Sequence, residues 1–333
     1  MGYTPGIAVV TRPTRLAGLR ARWGTKSQAK FVLRAARAQE QVLHREAPAK
    51  SRSTQTVDLP PDAEFGEYER EDAAYQQAVE KILRDLDFGL PVKRVEWEFV
   101  PNFDFWSCAA VVVIGQDGLV ANVAKYVGDV PIIAANPDPE RIDGVLLPFQ
   151  VPQVRLAVDR VLRDSFRQRK VTLAEVNLND GQKLLAFNDF FVGTSSHVSA
   201  RYTLEVDGAS EPQSSSGILV STGAGSTGWL SSVFNMTSGI ARLLGHELDE
   251  RLRLPWEDRK LMWAVREPFA SRHSQANLIA GILDEGRELV IESLMPANGV
   301  IFSDGIENDF LTFTSGTIAR IGVSKQSARL VVP

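Results

Sequence analysis

The 333-residue chain predicts an α/β architecture followed by a β-rich one, and three observations carry that reading. The first half alternates apolar strand-like runs with helical patterns, as a parallel sheet covered by helices requires. From about residue 170 onward, short strand-like runs recur with Asn179-Asp180-Gly181 and Asp207-Gly208 as turn signals between them, the texture of antiparallel β-structure. The length is about twice the roughly 150 residues usual for one domain, so two domains are expected, 1–160 and 161–333.

Taken in order, residues 7–11 read as a buried strand and a helix is expected within 27–43. Residues 45–72 hold Pro48, Pro60 and Pro61 among Ser and Thr and then an acidic run, which reads as a loop excursion. A helix at 73–86 follows. Residues 92–99 alternate apolar with polar, the pattern of a strand with one wet face. Residues 108–114 form an unbroken apolar run ending at Gly115, as a central parallel strand does. A short helix at 119–126 and a strand at 131–135 complete this half. In the second half strands are expected at 171–176, 183–187, 190–193, 202–206 and 218–221, then a helical insertion over 230–259. Strands at 289–294, 317–323 and 328–332 close the chain, with the last segment able to cross back to the first domain.

Composition narrows the function classes. With 44% hydrophobic, 23% charged and 8% aromatic residues the chain is globular in type, which excludes a disordered, collagenous or coiled-coil protein. A net charge of -4 gives no support for nucleic acid as a partner, although 12–52 is basic and 58–72 acidic. The single Cys108 cannot form an internal disulfide and stands in an apolar run, so a buried, inert thiol is expected. His44, His197, His246 and His273 form no cluster at zinc-ligand spacing, and His197 and His273 read as exposed loop residues. No run reaches the ~18–20 apolar residues of a membrane helix, and the start has no basic segment before an apolar core. A cytoplasmic location is therefore expected ahead of secretion, a membrane, or the mitochondrial matrix.

Three motifs can carry chemistry. Gly115-Gln116-Asp117-Gly118 puts a carboxylate at the carboxyl end of a strand and the start of a helix, where open α/β sheets bind ligands. Such an aspartate can take the proton of an attacking hydroxyl or organise Mg²⁺ near phosphates, and a plain turn is the alternative. Asn188-Asp189 is a polar pair between Phe187 and Phe190, which must find partners or face an open site, with a strand-end turn as the alternative. Gly223-Ala224-Gly225-Ser226-Thr227-Gly228-Trp229 follows a strand and precedes a helical pattern, so its backbone N–H groups can cradle a phosphate, or it is a plain glycine-rich turn joining the two; without a following Lys it is not a Walker A loop. Trp229 reads equally as a base-stacking or a core residue. Arg12, Arg15, Arg22 and Lys26 read as phosphate contacts or as a solvated basic face.

In this order the motifs resemble those of the NAD kinase family: a GGDG turn, an Asn-Glu pair and a TGST-like loop. Asn136-Pro137-Asp138-Pro139-Glu140-Arg141, Ser215-Ser216-Gly217 and Val265-Arg266-Glu267-Pro268-Phe269 look like the mitochondrial-type branch. The resemblance implies a Rossmann-like N-terminal α/β nucleotide domain, a β-rich C-terminal domain and an active site in the cleft between them. It implies a homodimer that transfers the γ-phosphate of ATP, with Mg²⁺, to the 2′-hydroxyl of the adenosine ribose of NAD. Carried over by position, Asp117 is the general base, and Asn188, Asp189, Ser216, Thr222 and Thr227 bind NAD. Gly115, Gln116, Gly118, Gly223, Gly225 and Ser226 fall to the phosphates, and no protein residue is assigned as a metal ligand. Gln116 replaces the family's second glycine, Leu119 its usual Thr or Asn, and Asp189 its longer Glu. Two other readings stay open: a nucleotide-binding sensor of the same fold, and a kinase with a lipid or sugar acceptor.

Overall fold

The structure, a computed structural model, describes residues 5–35, 61–248 and 253–333. Its first half contains β1 (Gly6–Thr11), α1 (Arg15–Trp23), helical residues 26–35 (α2), α3 (Pro61–Asp85), β2 (Val92–Glu96), β3 (Cys108–Ile114), α4 (Asp117–Val127), β4 (Ile132–Asn136), the short β5 (Phe149–Gln150) and α5 (Val154–Leu162). The strands pair in parallel in the order β2-β1-β3-β4-β5. Successive residues of a strand face opposite ways, so β1 serves two cores. Ile7 and Val9 pack with Ile82 of α3, Leu86 just after it, and Val154 and Val158 of α5, whereas Ala8 and Val10 pack with Val120 and Val123 of α4. Each such buried aliphatic side chain contributes about 1.5–3 kcal/mol.

The second half adds β6 (Arg167–Leu178), β7 (Lys183–Ala186), β8 (Asp189–Thr194), β9 (Ala200–Val206), β10 (Ala209–Ser215), β11 (Ile218–Ser221), α6 (Trp229–Leu243), β12 (Lys260–Val265), β13 (Ala280–Asp284), β14 (Glu288–Ser293), β15 (Gly299–Ser303), β16 (Ile306–Thr312) and β17 (Ile318–Val332). Strands β13-β12-β11-β8-β15-β16 form an antiparallel sheet. It packs on β9, β14 and β17 through Val192, Val220, Trp263, Tyr202, Leu204, Ile291 and Ile321. β17 joins the two halves: it pairs with β14 and β6, and near its end Leu330 pairs in parallel with Ile132 of β4. Among the described residues no helix is long and apolar enough to cross a membrane.

Several elements differ from expectation, each for a local reason. Of the expected loop 45–72, residues 45–60 lie outside the described residues, as do 36–43 of the helix expected within 27–43, but 61–72 are the first turns of α3. Phe65 anchors those turns against Leu16 and Ala29, and their acids meet the basic segment: Glu71 pairs with Arg12 and Arg15, and Glu69 with Lys26. The strand expected to reach residue 99 stops at Glu96 and winds into a 3₁₀ turn, Trp97–Asn102, containing Pro101, which has no N–H for a ladder. The helical insertion expected to reach 259 ends at Leu243, with Gly245 behind it at φ +83°. The two terminal strands are one, β17, irregular between Val323 and Ser327.

Candidate active site

The GxDG turn is built by β3 and α4. Gly115 leaves β3 with its N–H on Ala135 O at 3.4 Å, Gln116 is extended, and Asp117 opens the helix. Its carboxylate lies half-buried and accepts backbone N–H groups from the loop after β4, Leu146 at 2.8 Å and Val145 at 3.2 Å. A negative charge in a first turn complements the helix dipole. Leu119, where a hydroxyl or amide is usual, is buried in the core beside Gly115.

Asn188 precedes β8 and Asp189 begins it, beside the glycine-rich loop that follows β11. Asn188 O accepts the Thr222 N–H at 2.8 Å, and a Cβ on Gly225 would fall 2.2 Å from that same oxygen, so only glycine lets the two motifs touch. The loop winds into a 3₁₀ turn, Ala224–Thr227. Thr222 Oγ1 donates to Phe187 O at 2.6 Å and Ser226 Oγ to Gly223 O at 2.7 Å.

The structure brings Asp117, Gly118, Asn188, Asp189, Gly225 and Thr227 onto one cleft of about 410 Å³, closed by Leu146, Trp229 and Trp256. Thr222, Gly223 and Ser226, expected at the ligand, lie behind this wall: Thr222 spends its hydroxyl on Phe187 O, Ser226 on the loop's own backbone, and Gly223 abuts Pro255 O. Gly115 is buried, and Gln116 opens onto neighbouring pockets that also hold Arg12. Ser216 lines a separate cavity of about 1020 Å³ that shares Trp229 with the cleft. There Trp229 stacks on Phe191 at 5.6 Å between ring centroids, with the Arg266 guanidinium 5.2 Å from the indole centroid. His197 is exposed at that cavity, His273 is exposed elsewhere, and Cys108 is buried with its thiol pushed up by burial.

Two residues that the sequence reading missed organise the floor of the cleft. Asp304, in the turn between β15 and β16, accepts N–H bonds from Asn188 at 2.6 Å, Phe187 at 3.1 Å and Asp189 at 3.4 Å. Lys125 of α4 reaches it at 3.7 Å and donates to Ser303 Oγ at 2.7 Å; its side chain is 2% exposed and that of Asp304 0%. Burial raises the Asp304 carboxyl and lowers the Lys125 amine, and their mutual attraction opposes both shifts. Burial, with the charge of Asp304 beside it, pushes Asp189 up to about 7. The available signals were Asp304-Gly305 between apolar runs, a hairpin signature, and a lysine among Val123, Ala124 and Val127 on a buried helix.

No family model matches the chain. In sequence it is similar to "NAD kinase 2, mitochondrial" of Rattus norvegicus, at 28% identity over 58% of this chain and 62% of the relative, so it spans about three fifths of that protein's length. In structure it is similar to yeast NADH kinase complexed with NADH, with TM-score 0.55 and 14% identity over 99% of this chain and 84% of that one. It is also similar to an NAD kinase from Archaeoglobus fulgidus in complex with ATP, with TM-score 0.51 and 17% identity over 77% of this chain and 88% of that one. The fold is the α/β-plus-β fold of NAD kinases, and the resemblance read from the sequence is borne out.

Proposed function

We propose that the chain is an ATP-dependent NAD kinase that phosphorylates the 2′-hydroxyl of the adenosine ribose of NAD to give NADP. The observation that carries this reading is the meeting of Asp117, Asn188-Asp189 and the Gly225–Thr227 loop on one cleft, although more than a hundred positions separate the first from the last. The similarity to kinases of NAD and NADH supports it.

A ribose hydroxyl is a weak nucleophile until a base is aimed at it. Asp117 takes the 2′-hydroxyl proton as that oxygen bonds to the γ-phosphorus; the bond from phosphorus to the β–γ bridging oxygen breaks and ADP leaves with the electron pair. Val145 and Leu146 fix the carboxylate through one N–H bond to each oxygen, leaving lone pairs for the proton. Asn188 and Asp189 hold the acceptor, and Thr227 with the α4 amino terminus faces the phosphates. Among the described residues no group of three His, Cys, Asp or Glu is poised to hold a metal. Mg²⁺ would be held chiefly by phosphate oxygens and would neutralise their charge, with Asp117 kept for the proton.

We also propose a domain boundary near residue 160 and a homodimer. Exposed Met236, Ile240, Leu243 and Leu244 along α6 support self-association, which sedimentation velocity tests. The activity test is NADP formation from NAD, ATP and Mg²⁺ by the wild type and Asp117→Ala. The variant is expected to lose about 10²–10⁴-fold in kcat while still binding NAD. A wild type that binds NAD yet makes no NADP would instead be a nucleotide sensor.

A further inference from the structure

We propose that Trp256 keeps water from the Asp117 carboxylate and so directs the phosphoryl group to a sugar hydroxyl instead of to water. This rests on the kinase reading above and deepens it, because none of the three motifs contains a device for that choice. A base aimed at a ribose hydroxyl serves a water molecule equally well. The water oxygen would bond to the γ-phosphorus while Asp117 takes its proton. The bond to the β–γ bridging oxygen would break, ADP would leave with the electron pair, and orthophosphate would form. A cleft of about 410 Å³ has room for several waters beside the reactants, so selectivity requires their exclusion.

Trp256 lines that cleft, and its backbone is held there from two sides. It occupies a turn closed by the Asp258 N–H on Pro255 O at 3.2 Å. Trp256 O accepts the Thr172 N–H at 2.9 Å, which pins the turn to β6. On the other side Pro255 O meets the glycine-rich loop so closely that a Cβ on Gly223 would fall 2.0 Å from it, an approach that only glycine allows. The indole is half-buried and packs on the core cluster that contains Leu146, Phe187 and Ala224, and all three of these line the cleft as well. The Leu146 N–H fixes one oxygen of Asp117, so the apolar screen and the base share a wall.

A clamp restrains the indole from the surface. The Arg169 guanidinium lies 4.8 Å from the ring centroid and pairs with Glu257 at 2.8 Å. Both charged side chains are 48% exposed, and neither lines the cleft. Trp229, the other indole at the cleft, is placed differently: it stacks on Phe191 and also faces the larger cavity, where a ligand can reach it.

Trp256→Ala in the full chain, assayed with ATP, Mg²⁺ and saturating NAD, tests the proposal through the ratio of ADP released to NADP formed. That ratio is expected to be about one in wild type and about tenfold higher in the variant. Trp256→Phe, which restores an apolar ring, is expected to return it to within about twofold of wild type. An unchanged or lower ratio in Trp256→Ala overturns the proposal, even if NADP and ADP fall together or the KM for NAD rises; a raised KM alone would make the indole a stacking platform for the acceptor. If Trp256→Ala does not fold, Arg169→Ala decides, because it removes a surface clamp and leaves the core intact: a ratio raised about threefold supports the proposal and an unchanged one overturns it. Should the wild type make no NADP, the kinase reading fails alone, and hydrogen exchange at the Val145 and Leu146 amides decides in whichever variant folds. Faster exchange than in wild type supports the screening of Asp117, and equal or slower exchange overturns it.

Discussion

Asp117 and Asp304 are the same residue in the same dipeptide, each preceding a glycine just beyond the end of a strand, and each accepts backbone N–H bonds from a facing segment. Their surroundings separate them. Asp117 is half-buried at the cleft, and among the described residues no cation pairs with it. Asp304 has no exposed side-chain surface, faces Lys125 at 3.7 Å and ties down three successive N–H groups of the segment carrying Asn188 and Asp189. A carboxylate that must exchange a proton with substrate needs an open side; one that fastens two walls of a site needs the opposite. Lys125 belongs to the helix that Asp117 opens, so the fastener sets the distance between proposed base and proposed acceptor site.

The sharpest way to break this contrast is Lys125→Met. Removing one partner of a buried pair leaves the other charge stranded, at a cost of about 3–5 kcal/mol. Urea unfolding is expected to show that loss. Lys125→Met with Asp304→Asn should recover part of it, whereas Asp117→Ala, which loses only two hydrogen bonds at a half-exposed group, should cost about 1–3 kcal/mol. Equal stability of the Lys125→Met variant and wild type would end the claim that the pair fastens the walls.

The contrast also explains what could be read from the chain. Asp117 was legible because strand, glycine and helix adjoin it in sequence, and Asn188-Asp189 because a polar pair stands out between phenylalanines. Lys125 and Ser303 are 178 positions apart, and no local pattern predicts their hydrogen bond. The parallel half was legible because β1, β3 and β4 are continuous apolar runs. The second sheet was partly hidden. β12 begins directly after the expected helical stretch 230–259, where no strand was expected, and polar residues break the alternation of β16. The first turns of α3 were hidden by an acidic run whose partners, Arg12, Arg15 and Lys26, lie more than 40 positions earlier.

A smaller effect is expected at Asp189, the neighbour on which the buried charge acts. Its folded pKa, about 7 against an ordinary 3.8, lies above the unfolded value, so the folded state holds the proton more tightly. The stability this contributes is present below about pH 4 and is lost as pH rises to about 7. Asp189→Asn has no such proton to lose, so in urea titrations its stability relative to wild type should rise between pH 4 and pH 7 and then level. A pH-independent difference would mean that neither burial nor the charge of Asp304 raises Asp189. NAD affinity measured on the same samples should show a step near pH 7 in wild type and none in the variant.

The smallest effect is expected at Gln116, beside the open aspartate. The residue is exposed, its φ of -124° suits any side chain, and its carboxamide caps no helix N–H. Glycine is itself an acceptable N-cap, so Gln116→Gly should change stability by no more than a few tenths of a kcal/mol. The side chain does occupy space in the two pockets that hold Arg12, on the proposed approach of the phosphates. Its removal is therefore expected to raise kcat/KM for ATP a few-fold, a change of less than about 1.4 kcal/mol in activation free energy, with the KM for NAD unchanged. A drop would instead make the carboxamide a phosphate donor and extend the binding wall one residue upstream of Asp117. Either result falls on the open side of the comparison, because among the described residues Gln116 shares no hydrogen bond or ion pair with Lys125 or Asp304, and a variant there can alter ligand approach without loosening the fastener.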